Sequence, residues 1–369
     1  MPTRAEGRIP LRMEMTHSFE VGVITFGEIS PDLRTGALMS PRDRMAEIVE
    51  QGVVADEVGL DVYAVGEHHR SDFVASAPPV ILAAVAARTN RIRLTSGVTV
   101  LGSEDPVRVF QDFATLDLLS DGRAEIIAGR GSFSESFPLF GYDVADYADL
   151  YREKLDALLA IRAGNPAVWR GGPHTRDLTG LDVAPRPVGE LPIWVGSGGT
   201  PASAVRAGSL GLPLALGLVL GPIGQFTGAV AKYYEAFEAA GHPAANARVG
   251  ITAHGYVGAT SQGARDTMYP YFKVGIRENN HQRGAGFDLP RAAFDAQATP
   301  GGGLLVGSPQ EVIDKLMTYH ELYGVTRAVF HLGYGHMPQR DHLAAIERLG
   351  TEVAPVMRRE VSRTAGSAA

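Results

Sequence analysis

Short apolar runs and longer amphipathic runs alternate along most of the chain. Runs with apolar residues at helical spacing, such as 41–58 after Ser40 and 105–119, predict helices. The run at 92–101 lacks polar alternation, which is typical of a strand buried on both faces. The short runs rich in β-branched residues predict eight strands, at 20–26, 61–66, 92–101, 124–128, 192–196, 212–218, 249–257 and 327–332.

Eight strands that alternate with helices predict an α/β fold, a (β/α)8 TIM-like barrel in one domain. A doubly wound open sheet is the alternative, but it rarely requires eight strands and a final helix in such an even rhythm. Two segments interrupt the alternation and are predicted insertions: the Pro- and Gly-rich 164–191 and the polar 278–303, which has the length of a lid. The predicted boundaries are a flexible arm at 1–18, the barrel domain at 19–360 and a disordered tail at 361–369.

Composition narrows the functional classes. The chain is 45% hydrophobic and 20% charged, as in ordinary globular proteins. A net charge of −7 without a Lys/Arg cluster argues against nucleic-acid binding. The absence of cysteine excludes disulfides, thiolate metal sites and cysteine nucleophiles. Because no long apolar run or signal peptide is evident, we expect no membrane span and a cytoplasmic location.

Three adjacent ionisable residues, Glu67, His68 and His69, end the second predicted strand. In a barrel this end lies on the face that carries active sites, and a carboxylate beside histidine fixes its tautomer or raises its pKa. Adjacent residues on extended backbone point in opposite directions, so one histidine is expected to face the pocket while the other packs. The alternative is a strand-end histidine satisfied by backbone or water. The spacing does not suit a helical metal site.

Two loops after neighbouring strands suggest an anion site. Arg130 lies between two glycines after the fourth strand, and its planar fork matches phosphate oxygens. The glycine-rich run 196–201, with the hydroxyls of Ser197 and Thr200, leads into a predicted helix N-terminus. Neither a P-loop nor a dinucleotide motif is present, so phosphate is predicted without a specific nucleotide. The alternatives are a turn arginine paired with Glu135 and a glycine-rich tight turn in which Thr200 caps the following helix.

Other signals are weaker. Gly97 within the third strand indicates a bulge or a close approach of a ligand plane. His331, His336 and His342 lie on or after the eighth strand, where rim histidines are more usual than a metal cluster. The chain contains neither a G-x-S-x-G nucleophile elbow nor an H-E-x-x-H metal motif.

From about residue 21 to 356, the order and spacing of several motifs resemble the bacterial luciferase-like family of flavin-dependent monooxygenases. Single motifs are weak, whereas their succession is specific. The matching segments are Gly66-Glu67-His68-His69, 76–80, 95–101, 105–108, 116–123, Gly129-Arg130-Gly131, 192–196 and 304–309.

The resemblance implies reduced FMN at the carboxyl face of the barrel, under a lid at 278–303. His68 matches the family's catalytic histidine, and the flavin ring is expected against Gly97-Val98, often a non-proline cis peptide. Gly129 replaces a luciferase cysteine and Ser197 a glutamate, so light emission is not expected. The residues expected around FMN are Glu67, Gly97, Val98, Arg130, Gly131, Ser197, Gly198, Gly199, Thr200 and Ser203, with Arg130, the 197–200 loop and Ser203 at the phosphate.

The resulting hypothesis is a monooxygenase in which reduced FMN, supplied by a separate flavin reductase, reacts with O2 to a C4a-peroxyflavin that oxidises a small organic substrate. A homodimer is expected from the resemblance. Three alternatives remain: F420-dependent hydride transfer on the same fold, a metal-dependent barrel hydrolase that uses residues 67–69 and the strand-eight histidines, and a non-catalytic flavin-binding protein.

Overall fold

The computed structural model describes residues 17–131, 133–281, 288–333 and 337–368. Most of the predicted arm, Ser132 and part of the predicted lid therefore lie outside the described residues. The described strands are β1 (Glu20–Thr25), β2 (Val62–Val65), β3 (Arg93–Ser96), β4 (Thr99–Val100), β5 (Ala124–Gly129), β6 (Ile193–Ser197), β7 (Leu214–Leu218), β8 (Val249–Val257), β9 (Leu305–Gly307) and β10 (Val325–His331).

The strands form a closed parallel barrel. Pairing runs β1-β2-β3-β5-β6-β7-β8, β8 pairs with β10, and β10 pairs back with β1. The predicted (β/α)8 fold is thus confirmed. The third predicted strand is divided by a cis peptide between Gly97 and Val98 into β3 and β4, and both parts pair with β5. β9 was not predicted as a strand, because three residues are too few to show a period. It pairs in parallel with Gly255–Val257, the last three residues of β8.

The helices begin where side chains or prolines mark their first turn. Ser40 accepts a hydrogen bond from the backbone N–H of Asp43, and Asp105 caps the third helix. Ser308 and Glu311 form a capping box. The helices are α1 (Pro41–Glu57), α2 (Pro78–Ala86), α3 (Pro106–Ser120), α4 (Ser136–Phe140), α5 (Tyr147–Ala163), α6 (Pro201–Ser209), α7 (Thr227–Ala239), α8 (Ser261–His281), α9 (Arg291–Ala298), α10 (Pro309–Tyr323), α11 (Gln339–Arg348) and α12 (Ala354–Ala368).

The barrel has an apolar outer layer and a charged floor. Outward-facing strand residues such as Leu94, Ile126 and Leu214 are fully buried against the helices. Inside, near the amino-terminal end, the Arg327 guanidinium lies 2.6 Å from a carboxylate oxygen of Glu125. Arg327 is 2% exposed, so this ion pair is shielded from water. Paired charges therefore close the barrel at the amino-terminal ends of its strands, and a ligand site must lie at the carboxyl-terminal ends.

The two predicted insertions differ in structure. No helix or strand is assigned between α5 and β6, as expected for 164–191. In the segment 278–303, α8 continues to His281, α9 occupies 291–298, and residues 282–287 lie outside the description. α9 was not predicted from the sequence within this insertion; its Phe294 is buried and its Arg291 pairs with Asp295.

Two further features concern the chain end and membranes. α12 continues to Ala368, across positions where a disordered tail was expected. Within the described residues, no helix has the length and apolarity that a membrane crossing requires.

Candidate active site

The barrel is open on one side of its carboxyl face. Thr252 and His254, which face inward on β8, are half-buried, and Ala215 on β7 is half-buried as well. Gly217, paired with Thr252, is exposed although it lies within a barrel strand. Gly196 on β6 is also half-buried. Inward positions can be accessible only if a cavity enters the barrel here, so a pocket opens along β6, β7 and β8.

His68 faces a predominantly aromatic environment just after β2. Its Nδ1 lies 3.0 Å from Oε1 of Glu135, which precedes α4. The imidazole stacks on Phe73 with 4.2 Å between ring centroids, and the rings of Phe26 and Phe133 lie 5.4 and 5.2 Å away. Burial alone would raise the pKa of Glu135, but hydrogen bonds and nearby positive charges, with the His68 hydrogen bond the largest of them, together lower this pKa. A carboxylate therefore orients the imidazole in largely apolar surroundings.

His69 turns to a different partner. Its Nε2 lies 3.0 Å from Oε1 of Glu67, and this hydrogen bond raises the pKa of His69. The other oxygen of Glu67 accepts a hydrogen bond from the backbone N–H of Val100, at 2.9 Å. The two histidines thus diverge, as adjacent residues on extended backbone should. Glu67, expected beside the flavin, instead directs its oxygens to His69 and to the β4 backbone.

Metal-type ligands cluster in one place among the described residues. Donor atoms of Glu67, His69 and Glu104 lie within 4.8 Å of one another. Burial, with the charge of Glu67 added, raises the pKa of Glu104 to about 7. This group omits His68, whose ring pairs with a different carboxylate. It also omits the strand-eight histidines, of which His336 lies outside the described residues.

The Gly97-Val98 peptide borders the open side of the barrel. It is cis, as the resemblance implied, and both residues are half-buried. The Val98 side chain fills the space above two glycines of neighbouring strands. A Cβ placed on Gly129 would lie 2.6 Å from a Val98 methyl, and one on Gly196 would lie 2.8 Å from the other. These glycines allow Val98 to enter the barrel mouth.

Arg130 follows β5, and its positive charge is available to bind an anion. Its guanidinium lies over the Tyr147 ring, 5.2 Å from the centroid, and forms no ion pair with any described residue. Glu135, the alternative partner considered from sequence, binds His68 instead. Gly131 has a φ of +73° and its carbonyl accepts a hydrogen bond from the Tyr147 hydroxyl at 2.6 Å. The adjacent tyrosine therefore fixes the loop that carries the cation.

The 197–200 loop lies on the neighbouring strand end. The register of β5 and β6 pairs Ala128 with Val195, so Arg130 and Ser197, each two residues further on, occupy adjacent loops. Ser197 Oγ accepts a hydrogen bond from the N–H of Gly199 at 3.1 Å. This is the convergence predicted from sequence.

The rest of this loop leads into α6. Thr200 does not cap α6 through its side chain; it donates to Ser203 Oγ at 2.9 Å. A Cβ on Gly198 would meet no atom within 4 Å, whereas one on Gly199 would lie 1.9 Å from the Phe226 ring. Gly198 therefore leaves open space at this edge of the site.

Sequence reasoning missed a second polar group at the carboxyl face. His331 Nε2 lies 2.7 Å from Oε1 of Glu28, and His331 Nδ1 lies 3.1 Å from Nδ1 of His254. His342, the other described histidine of this region, has its Nδ1 3.2 Å from the side-chain amide of Gln51. The sequence signal that could have revealed this group is a histidine near the carboxyl end of each of the last two barrel strands, because these strands are neighbours in a closed barrel.

Comparison with known proteins identifies the family to which the chain is similar. A luciferase-like monooxygenase profile matches residues 19–326. The flavin-dependent trigonelline monooxygenase, oxygenase component, of Acinetobacter baylyi is 26% identical over 338 residues, which cover 84% of this chain and 89% of that protein. The 4-hydroxyprotoasukamycin monooxygenase of Streptomyces nodosus subsp. asukaensis is 30% identical over 56% of this chain, and the match spans 58% of its length. An F420-dependent glucose-6-phosphate dehydrogenase of Amycolatopsis mediterranei is 30% identical over 46% of this chain and 52% of its own.

Solved structures share the fold. The monooxygenase RslO1 from Streptomyces bottropensis superposes with a TM-score of 0.79 at 24% identity, covering 91% of this chain and 99% of that one. The oxygenating constituent of 3,6-diketocamphane monooxygenase from Pseudomonas putida, in complex with FMN, gives a TM-score of 0.67 at 20% identity, covering 92% and 98%.

Proposed function

Because the chain belongs to the luciferase-like monooxygenase family, we propose that it is a flavin-dependent monooxygenase that uses reduced FMN and O2 to oxidise a small organic molecule. One observation carries the proposal: a cation that forms no ion pair with any described residue and a glycine-rich loop share one end of an open barrel mouth, close in the fold to a carboxylate-oriented histidine. The relative named as a flavin-dependent oxygenase component, aligned over most of both chains, supports the same reading.

The phosphate end fits FMN in the chemistry of its donors. Arg130 would bind the phosphate through its guanidinium, and the hydroxyls of Ser197, Thr200 and Ser203 would supply further hydrogen bonds. Gly198 leaves space for the phosphate, since a side chain there would project into an open region. Gly97 and Val98 would lie against the flavin ring, where their half-buried backbone borders the pocket.

Reduced FMN, when bound, supplies the electrons and activates O2. The protein positions the reactants, excludes water and moves protons. His68 is the group we assign to proton transfer, because Glu135 holds its Nδ1 and thereby fixes the ring orientation. If Nδ1 carries the proton toward Glu135, Nε2 is left as the basic atom. Phe26, Phe73 and Phe133 surround the ring and keep bulk water from it.

Two partners belong to this proposal. A separate flavin reductase would supply reduced FMN, which agrees with the name "oxygenase component" of the trigonelline relative. A homodimer would cover exposed apolar side chains of the outer helices, such as Val80 on α2 and Leu118 and Leu119 on α3. The lid role of 278–303 stays a prediction; within it, Glu278 accepts a hydrogen bond from Ser30 at 3.2 Å.

A titration with two cofactors tests the proposal. Anaerobic binding of reduced FMN and of F420 is measured first, and oxygen uptake is then recorded with a flavin reductase and a panel of aldehydes and ketones. We expect tighter binding of reduced FMN and substrate-dependent oxygen consumption. Preference for F420 without oxygen uptake would instead support hydride transfer, for which the Amycolatopsis relative is the precedent.

Two other outcomes address the remaining alternatives. Tight flavin binding without any reductase-dependent oxygen consumption would identify a non-catalytic flavin-binding protein. Stoichiometric metal in the purified protein, together with hydrolase activity that a chelator removes, would support the barrel hydrolase.

A further inference from the structure

A chain of three ionisable side chains crosses the barrel mouth on the side opposite the phosphate loops. Glu28 follows β1, His331 ends β10 and His254 lies on β8. Nε2 of His331 is 2.7 Å from the Glu28 carboxylate, and the two Nδ1 atoms of His331 and His254 are 3.1 Å apart. The pairing of β8 with β10 sets these two histidines directly opposite each other. The contacts thus follow from the barrel register.

The contact between the two Nδ1 atoms limits which nitrogen atoms of His254 and His331 can carry protons. At 3.1 Å, one Nδ1 must donate and the other must accept, so the pair shares a single proton at this position. Burial, with His331 adding to it, lowers the pKa of His254 well below its ordinary value, so His254 is neutral near pH 7. Any positive charge of the pair therefore belongs on His331, where the Glu28 carboxylate stabilises it.

The surroundings hold Glu28 in place. Arg44 on α1 donates from Nε to the Glu28 backbone carbonyl at 3.1 Å, and its Nη2 is 3.9 Å from the Glu28 carboxylate. His342 on α11 also faces this group; burial, with Arg44 and His331 adding to it, lowers the pKa of His342 to about 3, so it is neutral. Among the described residues, the charges next to His331 are thus the Glu28 carboxylate and the Arg44 guanidinium.

His254 connects this chain of groups to the pocket. It is half-buried and faces inward on the open side of the barrel, whereas His331 is only 3% exposed. The Phe26 ring separates His331 from the first histidine site: its centroid lies 4.9 Å from His331 and 5.4 Å from His68. The pocket therefore has a histidine site on each side of this phenylalanine, and only the His68 side was assigned above.

We propose that Glu28, His331 and His254 form a second proton-transfer site, which stores a proton beside Glu28 and exchanges it with the pocket through Nε2 of His254. In the loaded state His331 carries both protons and His254 carries its proton on Nε2. Donation of that proton to an oxygen atom in the pocket is balanced by movement of the His331 Nδ1 proton to Nδ1 of His254. One positive charge leaves with the proton, and a proton from solvent reverses the sequence.

The assignment of proton transfer rests on the proposed function, but the coupled protonation of His254 and His331 can be tested in protein without cofactor. Histidine-labelled protein is titrated by NMR, with signals assigned through His254→Gln and His331→Gln. We expect the two histidines to respond at one common midpoint. Glu28→Gln should move that midpoint to lower pH by about one unit or more, because the stabilising carboxylate is lost. His17→Gln, at the surface beside the Ala245 carbonyl, is the control and should change nothing. Separate midpoints, or no response to Glu28→Gln, would overturn the coupling.

A second measurement tests the transfer itself in the enzyme loaded with reduced FMN. Reduced-FMN oxidation by O2 is followed from about pH 5 to 9, a range that spans histidine titration. His254→Gln should lower the rate about tenfold or more and remove the limb of the pH profile that matches the NMR midpoint, with FMN affinity unchanged. An unchanged profile would refute proton transfer. If the wild-type protein shows no substrate-dependent oxygen consumption, the proposed function fails, and the NMR titration still decides the coupling.

Discussion

The Arg130→Met variant tests the phosphate assignment most directly. Arg130 is half-buried and has no ion pair among the described residues, so its guanidinium would meet an FMN phosphate without first leaving another partner. A hydrogen bond to a charged group contributes about 1.5–3 kcal/mol. Because the site is partly open to water, we take about 2 kcal/mol, which is about a 30-fold loss of affinity for reduced FMN. Methionine keeps an apolar stem on the Tyr147 ring, so packing changes little.

The assay compares two ligands that differ only in the phosphate. Anaerobic titrations of reduced FMN and reduced riboflavin are recorded for wild type and Arg130→Met, and only the FMN affinity should fall. Arg130→Lys, which keeps the charge without the planar fork, should lie between wild type and Arg130→Met. Arg152→Met removes an exposed cation that pairs with Asp149 on α5 and serves as the control. An equal loss for riboflavin, or an unchanged FMN affinity, would refute the assignment.

Three further variants address chemistry, stability and pH. His68→Asn should retain flavin binding but lose substrate-dependent oxygen uptake by about 100-fold or more, and undiminished uptake would exclude proton transfer there. Arg327→Met removes the buried partner of Glu125, leaves this carboxylate with only the 41% exposed Arg93, and should cost about 3–5 kcal/mol in urea unfolding. Arg93→Met, which removes the exposed partner, should cost less; equal losses would contradict this. Burial raises the pKa of Glu28, but the charge and hydrogen bond of His331, together with the charge of Arg44, lower this pKa to about 2. A depressed carboxyl pKa stabilises the fold above pH 4.5, so the free energy of unfolding of the wild type should fall by about 3 kcal/mol between pH 4.5 and 2. Urea unfolding at both pH values should show no such loss in Glu28→Gln.

The fold was predictable because eight strands each carry their own apolar signal. The failures are local and have physical reasons. β9 has three residues, fewer than a period requires. α9 is only eight residues long and is stabilised by burial of Phe294 and an ion pair between Arg291 and Asp295, which are tertiary and side-chain effects rather than a strong apolar pattern.

The sequence indicated which residues carry candidate chemistry, but not which side chains they contact. Alternation along an extended backbone correctly separated His68 from His69. Glu135 was considered only for Arg130, because 67 residues separate it from His68 and no local pattern connects them. His254 and His331 are 77 residues apart and become neighbours only when the last two barrel strands pair. Partner choice across strands depends on register, which one sequence does not display.

The distribution of charge at the barrel mouth bears on the choice between FMN and F420. The inward residues of the open side, from Gly196 through Ala215 and Gly217 to Thr252, carry no charge, as a flat neutral ring system requires. At the phosphate end, Arg130 has no ion pair among the described residues, while the nearby Arg206 on α6 is already paired with Asp156. F420 carries a carboxylate-bearing tail in addition to its phosphate, and that tail would call for cations beyond Arg130. The terminal phosphate of FMN needs only one cation, so under the proposed function we expect the two-cofactor titration to favour FMN. Tighter binding of F420 would contradict the assignment of Arg130 to a single terminal phosphate.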